Sequence, residues 1–83
     1  MEQKVVLITG ASGGMGGALA ALFSNENVKL ALHYNKNEIN LVESDSVAHF
    51  QADLTTESEV ERLVSSVLEK FGRIDVLINN AGI

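Results

Sequence analysis

The residues best suited to chemistry in this sequence are glycines concentrated near its start. Five of the seven glycines fall within positions 10–17. A β-branched apolar run at positions 5–8 precedes them, and apolar residues at helical spacing follow. Backbone N–H groups at a helix start lack partners and carry the positive end of the helix dipole, so they favour a phosphate. Because glycine lets backbone approach a ligand closely, we predict a phosphate-binding turn at this strand-to-helix junction.

Two other interpretations of the glycines are a flexible surface loop and a mononucleotide P-loop. The strand before the glycines and the helix after them favour a phosphate site over a plain loop. A P-loop requires Lys directly after its last glycine, but no Lys or Arg occurs between Val5 and Val28. The sequence therefore favours the pyrophosphate of a dinucleotide, held mainly by backbone, over the ATP of a kinase or ATPase.

Alternating strands and helices must position this turn. The first helix is predicted over 14–24, the second strand over 28–34, the third over 46–52 and the last over 74–79. The third strand alternates in polarity, which suits the edge of a sheet. The polar segment 35–43 predicts a short helix or an irregular connection, since few residues are available for a crossover.

The helix after position 56 has the clearest pattern in the chain. Its apolar stripe is Val60, Leu63, Val64, Val67, Leu68 and Phe71. Thr56 and Glu59 have the spacing of a capping box, and Gly72 predicts the helix end. Such a stripe indicates packing against a sheet.

This order of elements predicts an α/β fold: the first half of a doubly wound parallel Rossmann sheet, in strand order 3-2-1-4, truncated after the fourth strand. In such sheets a ligand binds at the carboxyl ends of the strands where the winding direction reverses. There the glycine turn would face the segment 79–82, Asn-Asn-Ala-Gly. The two motifs are therefore expected to meet in space.

These motifs resemble those of a known family. Thr9-Gly10-x-x-x-Gly14-x-Gly16 is similar to the T-G-x-x-x-G-x-G signature of the short-chain dehydrogenases/reductases, and segment 79–82 is similar to their N-N-A-G signature. Asp53-Leu54 resembles their adenine-contacting acidic pair. Gly10, Gly13 and Gly16 also fit the G-x-x-G-x-x-G variant of the extended branch, but the N-N-A-G segment favours the standard branch of the 3-oxoacyl-carrier-protein reductase type.

The resemblance covers the whole sequence but only the first half of the family's domain, so residues 1–83 are expected to be a partial dinucleotide-binding domain. It implies an NADP(H)-binding part of an oxidoreductase that transfers hydride between nicotinamide and a small carbonyl or alcohol substrate. The predicted cofactor-binding residues are Gly10, Ser12, Gly13, Gly14, Met15, Gly16, Asn35, Lys36, Asp53, Leu54, Asn80, Ala81 and Gly82.

Local turn chemistry is the alternative role for several of these residues. Asn79 and Asn80 could bond their own backbone at the strand end, and Asp53 could be a turn residue ahead of the next helix. By resemblance, Asn79 mainly braces neighbouring strands, while Asn80 and the following Ala81 and Gly82 line the ribose of the cofactor.

The end of the second strand bears on the choice between NADP and NAD. NAD-binding sites place an acid there for the ribose 2′-OH, whereas this sequence has Asn35 and Lys36, with Glu38 further along. A cation and amides would attract a 2′-phosphate, so the sequence favours NADP over NAD. Alternatively, Lys36 and His33 are solvated surface groups.

The family's catalytic Ser and its Tyr-x-x-x-Lys pair are missing from their motif contexts. The one tyrosine, Tyr34, has Glu38 four positions later. The catalytic and substrate-binding half is thus expected to be absent and this chain alone to be inactive. The alternative function is a non-catalytic nucleotide-binding or interaction module that uses the same fold.

Composition narrows the classes of partner. A formal net charge of −5, with scattered basic residues, argues against nucleic acid. Zero cysteines and two isolated histidines give no metal site. The sequence contains no apolar run long enough for a membrane span and no evident signal peptide. We expect a soluble, cytoplasmic protein with no membrane partner, forming a homo-oligomer when complete.

Overall fold

The computed structural model describes residues 3–24, 26–37, 39 and 41–81. Within these residues, four strands and two helices follow one another. They are β1 (Lys4–Thr9), α1 (Gly14–Phe23), β2 (Val28–Tyr34), β3 (Val47–Gln51), α2 (Glu57–Phe71) and β4 (Val76–Asn79).

The strands form one parallel sheet in the order β3-β2-β1-β4. This confirms the predicted α/β class and the 3-2-1-4 order. The register pairs Thr9 with Asn79 and Tyr34 with Gln51. The carboxyl ends of neighbouring strands therefore lie at one edge of the sheet, where a ligand site is expected.

Strand β1 is buried on both faces, as its unbroken apolar sequence predicts. Val6 and Ile8 belong to a cluster with Ala20 of α1. Val5 and Leu7 belong to a second cluster, which includes Leu63 and Val67 of α2. The first is called the α1-side core and the second the α2-side core. The two helices thus cover opposite faces of the sheet.

Strand β3 lies at the edge of the sheet, and its alternation is confirmed. Val47 packs in the α1-side core, whereas Phe50 and Ala52 pack in the α2-side core. The strand is one residue shorter at each end than predicted, and Ala52 lies just after its end.

The connection from β2 to β3 is irregular wherever it is described, the second of the two predicted possibilities. Ile39 is buried in the α1-side core, so one apolar side chain fixes this segment to the domain. The backbone N–H of His49 donates to Glu43 Oε2 (2.9 Å), and its ring Nε2 donates to the Leu41 carbonyl (2.6 Å). Hydrogen bonds to β3 therefore hold part of the connection without a helix.

Helix α2 confirms the apolar stripe. Leu63 and Val67 are buried, whereas Val60, Val64 and Leu68 remain partly exposed. The helix ends at Gly72, which has a φ of 83° and donates its N–H to the Leu68 carbonyl (2.7 Å). Glycine is needed there because the conformation is left-handed.

The predicted capping box of α2 is wrong. Thr56 is the cap residue, but its side chain makes no capping hydrogen bond. Glu59 is held by Arg62 through contacts of 2.7 and 3.0 Å, and it accepts the N–H of Asp53 (3.4 Å) rather than that of Thr56. A cation one helical turn away and a donor from the preceding loop replace the expected pairing.

Candidate functional site

The glycine turn between β1 and α1 uses positive φ angles at two positions. Gly10 has φ of 66° and Gly14 has φ of 45°. Gly13 is extended and occupies the cap position of α1, where it supplies no side chain. Residues 13–15 are exposed. The start of α1 is therefore bare backbone open to solvent.

The charge at this helix start suits an anion. The N–H groups of Gly14, Met15 and Gly16 have no partner within the helix, because the residues four positions earlier lie outside it. The first turn of α1 contains no acidic side chain. The positive end of the helix dipole is thus available to a phosphate.

Two of the glycines are required by packing within the protein. A Cβ at Gly16 would collide with the Gly10 carbonyl oxygen and would lie 2.7 Å from Asn80 Nδ2. A Cβ at Gly10 would lie 3.1 Å from the Ala81 backbone. At Gly13 and Gly14, by contrast, the position of a Cβ is open space. The first pair holds the turn against α1 and β4, and the second pair borders open space.

The side chain of Thr9, at the end of β1, joins the glycine motif to the N-N-A-G motif. Its hydroxyl donates to Asn79 Oδ1 (3.0 Å) and accepts the N–H groups of Asn80 (3.0 Å) and Ala81 (3.1 Å). The Asn80 amide in turn donates to the Gly10 carbonyl (3.0 Å). Both asparagine side chains thus bond to the β1 end and not to their own turn.

Gly10 is also held from β2. Its N–H donates to His33 Nδ1 (3.0 Å), while the His33 carbonyl accepts the N–H of Ala11 (2.9 Å). The first two amides of the turn therefore point back to β2. The amides that could face a phosphate are those further along, at the start of α1.

Asp53 lies in the loop after β3 and makes a local turn. Its Oδ1 accepts the Thr55 hydroxyl (2.6 Å) and the Thr55 N–H (3.0 Å). These bonds, with a smaller contribution from Lys36, hold the pKa of the Asp53 carboxyl below its ordinary value. The turn role is therefore present in the structure, and the group is an ionised hydrogen-bond acceptor at neutral pH.

Several predicted site residues line one cleft at the carboxyl edge of the sheet. The cleft has a volume of about 350 Å³ and is lined by His33, Asn35, Asp53, Leu54, Thr55 and Ala81. It lies across the ends of β2 and β3, beside the β4 end. The structure thus brings together residues from three separate segments of the sequence.

Asn35 and Lys36 follow β2 directly, and Lys36 is exposed. Gln51 donates its side-chain amide to the Asn35 carbonyl (3.1 Å) and side-chain oxygen (3.3 Å). Lys36 is therefore an exposed cation next to Asn35, which lines the cleft, and its charge contributes to the lowered pKa of Asp53. Glu38 and Gly82 lie outside the described residues.

His33 is the site residue that the sequence analysis missed. It is not a solvated surface group, since only 2% of it is exposed and both ring nitrogens contact backbone. The available signal was its position within the apolar run of β2, where a buried polar side chain requires partners.

Within the described residues, no three His, Cys, Asp or Glu side chains are grouped as a metal site would require. No helix of the described chain has the length and apolarity to span a bilayer.

Comparisons with known proteins agree with this geometry. The sequence is 35% identical over 88 residues to "Short-chain dehydrogenase reductase 3c" of Arabidopsis thaliana, covering 100% of this chain and 34% of the relative. A short chain dehydrogenase from Leptospira borgpetersenii with bound NAD+ is 28% identical, with a TM-score of 0.84 over 100% of this chain and 33% of the other. A single-residue variant of ElxO with NADPH bound is 31% identical, with a TM-score of 0.84 over 99% of this chain and 36% of the other.

The chain spans about a third of the length of the curated relatives it matches. The short chain dehydrogenase family profile nevertheless matches residues 4–83, almost every position of the sequence. The glycine turn, the N-N-A-G segment and the strand order fit that family, and this chain belongs to the short-chain dehydrogenases.

Proposed function

We propose that this chain is the NADP(H)-binding part of an oxidoreductase that transfers hydride between nicotinamide and a carbonyl or alcohol substrate. The observation that carries the proposal is the open start of α1, where residues 13–15 are exposed, together with the cleft at the carboxyl edge of the sheet that contains Asp53 and Ala81. A dinucleotide has an anionic pyrophosphate, which suits the start of α1, and an adenosine, which suits the cleft.

Each part of the cofactor has proposed partners. The pyrophosphate would be held by backbone from Gly13 to Gly16, with Ser12 beside it. Adenine would lie in the cleft, where the Asp53 carboxylate could accept its amino group and Leu54 offers apolar contact. Asn80, Ala81 and Gly82 are the proposed ribose neighbours, by resemblance to the family.

The residues at the start of α1 fit the pyrophosphate of a dinucleotide cofactor. The absence of side chains at Gly13 and Gly14 leaves open space next to unpaired helix amides. When bound, a nicotinamide cofactor supplies the hydride chemistry. The chain's own residues would fix the cofactor and orient its adenosine half.

NADP is favoured over NAD because Lys36 is exposed just after β2, next to the cleft residue Asn35. A 2′-phosphate would gain a charge-assisted contact from this ammonium. Solved relatives include one with NAD+ and one with NADPH, so the family alone allows either cofactor. The 3-oxoacyl-carrier-protein reductase branch, the substrate and the oligomeric state stay predictions.

The proton donor of the reaction would come from outside these residues. Tyr34 is the one tyrosine of the sequence and packs against the α1-side core, and the family's Tyr-x-x-x-Lys pair is not present. The role proposed for this chain is therefore cofactor binding.

The test is a fluorescence titration with NADPH and NADH of the wild type, Gly13→Asp and Gly17→Ala. Aspartate at position 13 should fold, because the backbone there is extended and its Cβ meets open space, and aspartate is a good helix cap. Its carboxylate would repel the pyrophosphate, so affinity should fall at least about tenfold.

Gly17→Ala is the matched control within the same helix. Its Cβ would approach only the Ala11 carbonyl, at 3.7 Å, so affinity should equal that of the wild type. Wild-type affinity in folded Gly13→Asp would overturn the phosphate assignment. A longer protein that contains this chain should oxidise NADPH with a panel of aldehydes and ketones. If such a protein binds NADPH but oxidises none, the non-catalytic module is the better description.

A further inference from the structure

His33 has a hydrogen-bonding pattern that fixes its chemical form. The Gly10 N–H lies 3.0 Å from Nδ1, and the Ala52 carbonyl oxygen lies 2.8 Å from Nε2. A backbone N–H can only donate, and a carbonyl can only accept. Nδ1 therefore carries no proton and Nε2 carries one. The ring is a neutral imidazole in a single tautomer.

The ring joins two segments that do not contact each other through the sheet. Gly10 follows β1 and Ala52 follows β3, while β2 lies between these strands. Backbone bonds reinforce the connection, because Ala11 donates to the His33 carbonyl (2.9 Å) and Ala52 donates to the Tyr34 carbonyl (3.1 Å). The side chain thus couples the glycine turn to the loop that contains Asp53.

Gly10 depends on this contact for its orientation. Its carbonyl is held by Asn80 Nδ2 at 3.0 Å and its N–H by His33, so both sides of the residue are fixed. The same residue adopts a φ of 66°, which glycine alone adopts freely. Without an acceptor at Nδ1, the Gly10 N–H would be left unpaired at a part-buried site, and the peptide would turn to find another partner.

We propose that His33 is a positioning residue for nucleotide binding, which holds the glycine turn by accepting the Gly10 N–H at Nδ1 and donating to the Ala52 carbonyl from Nε2. The inference rests on the proposed function, since the turn matters only if it binds a nucleotide. His33 acts through Gly10 and Ala52 and carries no charge to the phosphates.

The two hydrogen bonds of the His33 ring, to the Gly10 N–H and to the Ala52 carbonyl, are here called the His33 relay. Two substitutions separate these two bonds. In His33→Asn the side-chain oxygen can occupy the place of Nδ1 and keep the Gly10 bond. In His33→Gln the side-chain amide can reach the place of Nε2 and keep the Ala52 bond, but Gly10 loses its acceptor. We expect NADPH affinity within about threefold of wild type for Asn and at least about tenfold weaker for Gln, or about 1.4 kcal/mol.

If His33 only stabilised the fold, the two variants would give a different result. Both variants would then lower the denaturation midpoint, while the folded protein of each bound NADPH equally well. Equal affinities in the two folded variants would therefore overturn the proposal, and so would a stronger loss in His33→Asn than in His33→Gln.

A nitrogen NMR measurement on the wild type tests the relay without any nucleotide. It should show His33 protonated at Nε2 only, and the Gly10 amide should exchange slowly with solvent. Protonation at Nδ1 would overturn the relay even if NADPH binds. Conversely, a wild type that shows this tautomer but binds neither NADPH nor NADH overturns the proposed function and leaves the relay in place.

Discussion

Thr9 shows how one side chain can align two motifs that lie at opposite ends of the sequence. Its partners Asn79, Asn80 and Ala81 are all at least 70 positions away. The parallel register places Thr9 beside Asn79, so a short hydroxyl reaches both the next side chain and the following amides. A hydroxyl both donates and accepts, which lets it satisfy an amide oxygen and two N–H groups together.

Thr9→Val tests this role with almost no change of shape. Valine keeps the β-branched volume but removes the hydroxyl. The Ala81 N–H and the Asn79 amide oxygen then lose their partner, while the Asn80 N–H keeps only its bond to the Ile78 carbonyl (3.1 Å). We expect the free energy of unfolding to fall by about 1–3 kcal/mol, measured by urea denaturation. Thr9→Ser, which keeps the hydroxyl, should lose less. A valine variant as stable as the serine variant would contradict the assignment.

Strand β4 is fastened at both ends, although it has only four residues. At its start, Asp75 donates its N–H to the Val5 carbonyl (2.9 Å) and accepts the Val5 N–H at Oδ2 (2.8 Å). Arg73 contacts Asp75 Oδ1 at 2.7 Å. At its end, Thr9 supplies the bonds described above. These contacts with β1 hold in place the strand that presents the N-N-A-G segment.

The carboxylate of Asp75 makes this attachment dependent on pH. The Val5 N–H, and then Arg73, hold the pKa of Asp75 below its ordinary value. The folded state therefore favours the ionised form, and the resulting stability is present above the unfolded pKa of about 3.9 and lost as pH falls through the lower folded pKa.

We accordingly expect wild type to be more stable than Asp75→Asn at about pH 7, and this difference to be smaller at about pH 3. Urea midpoints at the two pH values measure it. Asp45→Asn, at an exposed turn position, controls for the loss of one negative charge. A difference that stays constant with pH would show that the ionised carboxylate is not responsible.

Helices and strands were predictable where the pattern of neighbouring residues determines them. The bounds of β2 and the stripe of α2 follow from the spacing of neighbouring apolar residues. The capping box failed because the sequence does not show which of several partners Glu59 prefers. The relay through His33 was not predictable either, since Gly10 lies 23 positions from it and Ala52 lies 19 positions away.

At the scale of the whole molecule, strand order was predictable because parallel crossovers have one hand and a doubly wound sheet reverses its direction after the third strand. That order placed Gly10 near Asn80 correctly. It did not reveal that Gly10 and Gly16 serve internal packing while Gly13 and Gly14 border open space, because that distinction depends on distances of a few ångströms.

The two cores of the molecule share β1 and should therefore unfold together. Alternate residues of this strand enter opposite cores, with Ile8 on the α1 side and Leu7 on the α2 side. Leu7→Ala leaves a cavity only on the α2 side and should cost about 2–5 kcal/mol. Because β1 cannot leave one core without leaving the other, the free energy of unfolding should fall equally for both cores.

Two probes in urea denaturation distinguish shared from separate unfolding. Tyr34 packs on the α1 side and is the sole tyrosine in a sequence without tryptophan, so its fluorescence reports on that face. Circular dichroism reports on the helices together. In Leu7→Ala both midpoints should fall by the same amount. In Val42→Ala, at a residue 80% exposed, the free energy of unfolding from either probe should change by no more than about 0.5 kcal/mol. If the Tyr34 midpoint stayed at the wild-type value while the circular dichroism midpoint fell, the two faces would be independent and β1 would not couple them.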